Sequence, residues 1–127
     1  MRLIIWKMKM NKYTELSDFE INKKVAEALG LLPHLFIASD VGKLIWNVPS
    51  NHNYGDIISQ KGCELDFCCT VNNAWVIINA YGISLVYQDR KFQFATNDGN
   101  IECIVSNPLK AAMIIFLHMK DAENEKV

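Results

Sequence analysis

The distribution of apolar and polar positions first predicts a helix from about Asp18 to Leu29. Apolar residues recur there at intervals of three or four, which places them on one stripe of a helix. Ser17 before the segment is a favourable N-cap, and Glu20 three residues later completes a capping box. Gly30 supplies the residue type that commonly ends a helix in a left-handed conformation. We therefore expect α-helix between these two signals.

A second helix is predicted between Thr70 and Gly82. Its expected apolar face consists of Val71, Ala74, Trp75 and Ile78, which share helical spacing. Because a tryptophan on the apolar face of a helix most often belongs to the core, we expect Trp75 to be buried.

The third predicted helix begins after Asn107, an N-cap candidate, with Pro108 at its first position. Its inner face is expected to comprise Leu109, Ala112, Met113, Phe116 and Leu117. Ile114, Ile115 and Met119 make the other side apolar as well. A sheet covers only one side of a helix, and large exposed apolar patches are uncommon in monomers. The helix is therefore either covered on two sides within the chain or in contact with another chain; we predict a homodimer, with Ile115 and Met119 as candidate partner-binding residues.

Five short segments have the character of strands. They are Leu35–Ala38, Lys43–Val48, Ile83–Tyr87, Lys91–Ala95 and Ile101–Val105. Turn residues between the first two predict a β-hairpin, and short turns between the last three predict a meander. Phe92 and Phe94 alternate with polar residues, which predicts one dry face on the middle strand. The expected fold is α+β: an antiparallel sheet of hairpin and meander packed with three helices, in the order α-β-β-α-β-β-β-α.

The segment Pro49–Lys61 is predicted to be the longest loop, because it lacks apolar periodicity and is rich in Asn, Ser and Gly. Trp46 lies at its edge and Tyr54 in its middle, and aromatic residues beside a loop can anchor a partner. Ordinary partial burial of both rings is the alternative. The expected organisation is a peripheral extension over 1–9, with Met10 as another plausible start, a single domain over 10–122 and a frayed tail over 123–127.

The composition disfavours two classes of partner. The 127 residues are 50% hydrophobic and 21% charged with a formal net charge of -1, which is typical of a globular domain. Basic residues are scattered, whereas nucleic-acid binding needs a basic patch. The opening segment Met1–Lys7 has only four apolar residues in a row, fewer than a secretory apolar region or a membrane span needs. We therefore expect a cytoplasmic protein with neither nucleic acid nor membrane as its partner.

Cysteine and histidine are the candidates for metal or catalytic chemistry. Cys63, Cys68 and Cys69, with His52 as a fourth donor, are irregularly spaced, whereas structural zinc sites use two separated pairs of ligands. Free, mostly buried thiols without a metal are therefore expected. A cysteine nucleophile needs a histidine base within reach, and the histidines are distant in sequence, with His118 expected at a helix rim. The sequence predicts no catalytic residue and no cofactor, and it leaves enzymatic activity open.

Three segments resemble a known family. Thr14–Gly30 resembles the opening signature of the NinX family of lambdoid phages, and Asn107–Leu117 is similar to its closing signature. Asp66–Cys68, followed by Trp75, resembles its middle block. The resemblance covers Met10–Ala122 and extends to phage domains described as α-β-α sandwiches.

The resemblance implies a small phage protein of uncharacterised function and supplies no catalytic residue. The family's recurring residues fall on Leu16, Ser17, Ile21, Trp75, Pro108 and Ala112, all expected as caps or members of apolar faces. The leading hypothesis is a non-enzymatic accessory protein, encoded by a phage or prophage, that binds a host or phage protein. The alternatives are a nucleic-acid-binding protein in phage recombination or regulation, and a small-molecule enzyme with an unrecognised site.

Overall fold

A computed structural model describes residues 12–30, 36–38, 44–46, 52–54, 57–59, 64–98 and 101–125. A helical turn at 12–14 precedes three longer helices, α1 (Asp18–Ala28), α2 (Val71–Tyr81) and α3 (Pro108–Glu125). The strands are β1 (Phe36–Ala38), β2 (Leu44–Trp46), β3 (His52–Tyr54), β4 (Ile57–Ser59), β5 (Glu64–Leu65), β6 (Ile83–Gln88), β7 (Lys91–Asn97) and β8 (Ile101–Cys103). The protein is α+β, as predicted. This part of the chain adds one helical turn and the strands β3, β4 and β5 to the predicted elements.

The described strands form three antiparallel sheets. β1 pairs with β2 in the predicted hairpin, and β5 adds to the other side of β2. β3 pairs with β4, and β6, β7 and β8 form the predicted meander. The first hairpin and the meander thus lie in separate sheets, which differs from the single sheet expected.

The prediction of one long loop over Pro49–Lys61 is wrong, because β3 and β4 lie within it. Tyr54 is therefore a strand residue and pairs with Ile57. The polar composition of β3 concealed the strand, since a short hairpin shows little apolar periodicity. The Gly-Asp pair between the two strands in sequence is a combination typical of two-residue hairpin turns.

Both predicted ends of α1 are confirmed. Ser17 Oγ accepts a hydrogen bond from the Glu20 N–H at 3.2 Å, and Gly30 has a φ of +82°. Ile21 and Val25 are fully buried, so the predicted stripe faces the core.

The apolar face of α2 differs from the prediction. Ala74, Ile77 and Ile78 are buried, whereas Val71 is 61% and Trp75 57% exposed. The expectation that Trp75 belongs to the core is therefore wrong. The helix contacts α3 through the stripe around Ala74. Successive residues of an α-helix are rotated by about 100° around its axis, so Trp75, the residue after Ala74, lies off this stripe.

The middle strand of the meander contains a β-bulge, which also corrects a prediction. Val86 pairs with Phe94, and Tyr87 pairs with Phe92, so Gln93 is the extra residue of β7. Since paired residues point to the same face, Phe92 and Phe94 lie on opposite faces instead of sharing a dry one. Phe92 packs with the core, and its ring lies 5.5 Å from that of Tyr87.

The helix α3 occupies the centre of the described fold. It contacts α1, α2 and all three strands of the meander, so both of its apolar sides are covered within the chain. Ile115 is fully buried and Met119 packs partly against the core. The helix therefore no longer argues for a homodimer, which stays a prediction for measurement in solution.

Both ends of α3 can be compared with the sequence prediction. Asn107 Oδ1 accepts from the Leu109 and Lys110 N–H groups at 3.0 and 3.3 Å, which confirms the predicted N-cap. His118 is buried rather than placed at the rim, because both sides of the helix are covered. The helix continues to Glu125, so the described start of the segment expected to fray is helical. Among the described residues no helix is long and apolar enough to cross a membrane.

Candidate functional site

A polar cluster lies where the beginnings of three helices meet. Residues Asp66–Cys69, here called the 66–69 turn, directly precede α2. Asn22 of α1 donates through Nδ2 to Asp66 Oδ1 and accepts through Oδ1 from the Cys68 N–H, each at 3.1 Å. Asn107, the cap of α3, donates through Nδ2 to the Cys68 carbonyl at 2.7 Å. The turn is therefore fastened to α1 and α3 by directional hydrogen bonds.

Lys110 joins α3 to the start of α1 within the same cluster. Its Nζ donates to the Leu16 carbonyl at 2.9 Å and lies 3.1 Å from Asp18 Oδ1. Asp18 also accepts a weak hydrogen bond from Cys69 Sγ at 3.8 Å. These contacts join the helices to one another, so Lys110 and Asp18 have a structural role.

The thiols of the 66–69 turn are held protonated. Burial, followed by the charges of Asp18 and Asp66, raises the pKa of Cys68 to about 12. Burial and the same carboxylates also raise the pKa of Cys69, although this side chain is exposed. Catalytic cysteines have a lowered pKa, because the thiolate is the reactive form. The environment of this turn therefore opposes nucleophilic chemistry.

The cysteines that suggested a metal site are only partly described. Cys68, Cys69 and Cys103 are free thiols, and Cys63 lies outside the described residues. In the parts of the chain that the structure covers, no group of three or more potential ligands is placed to hold a metal ion. We therefore interpret the 66–69 turn as a structural junction between the helices.

A second region, the outward side of α2, is exposed and apolar. Val71, Asn72, Trp75 and Asn79 share this side at helical spacing, all four are exposed, and we call them the α2 outer face. No residue of α2 carries a charge. Tryptophan is rare on a free surface and common at the centre of protein contacts. This face is therefore the best candidate for a functional surface in the described structure.

A groove of about 420 Å³ lies between α2 and β6. It is lined by Trp75, Ile78, Asn79, Gly82, Ile83, Ser84 and Leu85. Successive strand residues point to opposite faces of a sheet, so a groove lined by Ile83, Ser84 and Leu85 runs along the edge of β6. None of the described residues that line the groove is charged. The groove continues the α2 outer face towards this sheet edge.

Of the candidate residues from the sequence, the structure describes the side chains of Ile115 and Met119, and neither belongs to the α2 outer face. Trp46 and Tyr54 are strand residues of β2 and β3, in different sheets, and their side chains lie outside the described part of the structure. Ile115 is enclosed in the core and Met119 packs against it. The backbone of His52 belongs to β3.

Sequence reasoning missed Trp75 as a surface residue, although a signal was present. The helix α2 has apolar residues on two sides, as α3 does, and unlike α3 it carries no charge. In the structure α3 is covered on both sides, whereas Val71 and Trp75 of α2 remain exposed.

The comparison with protein families decides the assignment. The family model described as bacteriophage P22, NinX matches residues 12–120. The chain belongs to the NinX family. The NinX match covers α1, α2, the meander and α3 as far as residue 120, and it places the chain among phage accessory proteins of uncharacterised function. No curated protein and no solved structure matches the chain.

The NinX-like positions named from the sequence can now be compared with the fold. Ser17 caps α1, Pro108 opens α3, and Ile21 and Ala112 are buried. Leu16 packs partly against the core. Trp75 is instead largely exposed, so packing in the described fold does not account for it. This contrast singles out Trp75.

Proposed function

We propose that this NinX-family protein is a non-enzymatic accessory module that binds another protein, of host or phage, through the α2 outer face. The observation that carries the proposal is the exposure of Trp75 and Val71, one turn apart on an uncharged helix. Tryptophan contributes strongly to binding when a partner covers it, because its large surface is removed from water. Asn72 and Asn79 supply hydrogen-bonding groups beside it.

The charge pattern supports a protein partner over a nucleic acid. Binding to phosphates requires clustered Lys and Arg, and the α2 outer face has none. On α1 the exposed Lys23 and Lys24 stand one turn from the exposed Glu27 and Glu20, so opposite charges alternate there. The protonated thiols of the 66–69 turn likewise do not favour a cysteine-dependent enzyme.

The test is capture from phage-infected bacterial cells with three tagged forms of the chain: wild type, Trp75→Ala and Ile104→Ala. Ile104 is a matched control, since it is 76% exposed and follows β8, at the opposite edge of the meander from β6. We expect a protein that is retained by the wild type and by Ile104→Ala but reduced about tenfold or more with Trp75→Ala. Equal retention by all three forms would contradict the proposal, as would retention that nuclease treatment abolishes.

A further inference from the structure

We infer that the partner presents an extended, uncharged segment, which pairs as an added strand with the edge of β6 beside Trp75. The inference rests on the proposed function and specifies the kind of surface that the partner offers. The binding place is the groove between α2 and β6, where the partner can pair with the backbone of β6 and contact the ring of Trp75 at the same time.

The backbone of β6 supplies the first argument. Among the described strands β6 pairs only with β7, so its other side is a sheet edge. In an antiparallel ladder the N–H and C=O groups of alternate residues point to opposite sides of a strand. Every second residue of β6 therefore directs a donor and an acceptor away from β7. An extended peptide satisfies both, which is the basis of recognition by strand addition.

The sequence of β6 supplies the second argument. Proteins usually protect a sheet edge with charges, proline or a bulge, because an unprotected edge pairs with other chains. The strand contains no charge and no proline, and the bulge in its pairing with β7 lies at Val86/Tyr87. The regular stretch Ile83–Val86 therefore has none of these protections, and it overlaps the part of β6 that lines the groove.

The lining of the groove indicates the side chains of the added segment. Trp75 and Ile78 offer apolar surface, and alternate side chains of an added strand would point towards it. Burying a charge there without a partner is costly, and the lining residues that the structure describes are all uncharged. The complementary segment is therefore uncharged, at least at the positions that enter the groove.

Two lysine substitutions test this inference with the protein captured in the Trp75-dependent experiment. Ser84→Lys places a charge at the groove, whereas Gln88→Lys places one on the same face of β6 beyond the bulge. Both native residues are exposed, so both variants should keep the fold. We expect Ser84→Lys to weaken the affinity for this partner about tenfold or more and Gln88→Lys to change it less than about twofold.

Amide hydrogen exchange of the complex gives the second readout. Strand addition should slow exchange at alternate amides of Ile83–Val86 by about tenfold or more relative to the free chain. If the Trp75-dependent partner binds Ser84→Lys normally and leaves these amides unchanged, the inference is overturned while the proposed function stands. A free chain with two-chain mass and slowed β6 amides also overturns it, because a second copy then occupies the edge. If no Trp75-dependent partner exists, the proposed function fails and the inference fails with it.

Discussion

Replacing Asn22 with alanine tests the idea that the polar cluster is a structural junction. Asn22 is buried, and its amide joins α1 to the 66–69 turn by donating to Asp66 and accepting from the Cys68 N–H. The Asn22→Ala variant removes both hydrogen bonds and leaves the buried N–H without this acceptor. The three helices then lose one of the contacts that fix the turn between them.

The expected loss follows from these two bonds. Leaving a buried donor unsatisfied costs about 1–3 kcal/mol. The bond to Asp66 adds roughly 1 kcal/mol, since this carboxylate is only half buried and water can replace the amide. Alanine regains up to about 0.7 kcal/mol because its helix propensity exceeds that of asparagine. We therefore expect Asn22→Ala to lower the free energy of unfolding by about 2–3 kcal/mol.

Equilibrium unfolding in urea, monitored by circular dichroism, measures this change. The matched control is Asn79→Ala, the same substitution at an exposed position of α2. The control should be neutral or stabilising by about 0.5 kcal/mol, because it changes only helix propensity. A loss below about 1 kcal/mol in Asn22→Ala, or an equal loss in both variants, would refute the junction.

Three further predictions follow from the ends of the fold and its thiols. Ser17→Ala should lower the free energy of unfolding by about 1 kcal/mol, measured as a shift of the urea midpoint, because the Glu20 N–H loses its cap. Since burial raises the pKa of Cys68 from 9.0 to about 12, the unfolded chain loses this proton first. Stability should therefore fall above about pH 9 in a urea series, and less so in Cys68→Ala. A chain starting at Met10 should unfold within about 0.5 kcal/mol of the full chain, and a loss of several kcal/mol would show that residues 1–9 pack.

Local chemistry made much of the fold predictable. Ser17 and Asn107 occupy caps whose hydrogen bonds depend on neighbouring residues, and Gly30 and Gly82 adopt the left-handed conformation that ends a helix. The turns of the meander were also predictable, because each lies between two segments that have the character of strands. These signals act over a few residues and need no knowledge of the tertiary structure.

The features that escaped prediction depend on distant parts of the chain. Which side of α2 packs on α3 decides whether Trp75 is buried, and an uncharged helix does not disclose that choice. The burial of Ile115 likewise depends on α1, α2 and the meander all packing against α3. The bulge at Gln93 placed Phe92 and Phe94 on opposite faces of the sheet without interrupting the alternation of the sequence.

In the proposed function, Trp75 serves binding and not folding. Calorimetric titration of the purified partner with wild type, Trp75→Ala and Ile104→Ala, alongside urea unfolding of each, tests it most directly. We predict that Trp75→Ala weakens binding about 30-fold, equivalent to about 2 kcal/mol, while Ile104→Ala stays within about twofold. All three chains should unfold within about 0.5 kcal/mol of one another, because both side chains are largely exposed. Equal affinities, or a loss of several kcal/mol of stability in Trp75→Ala, would contradict the account.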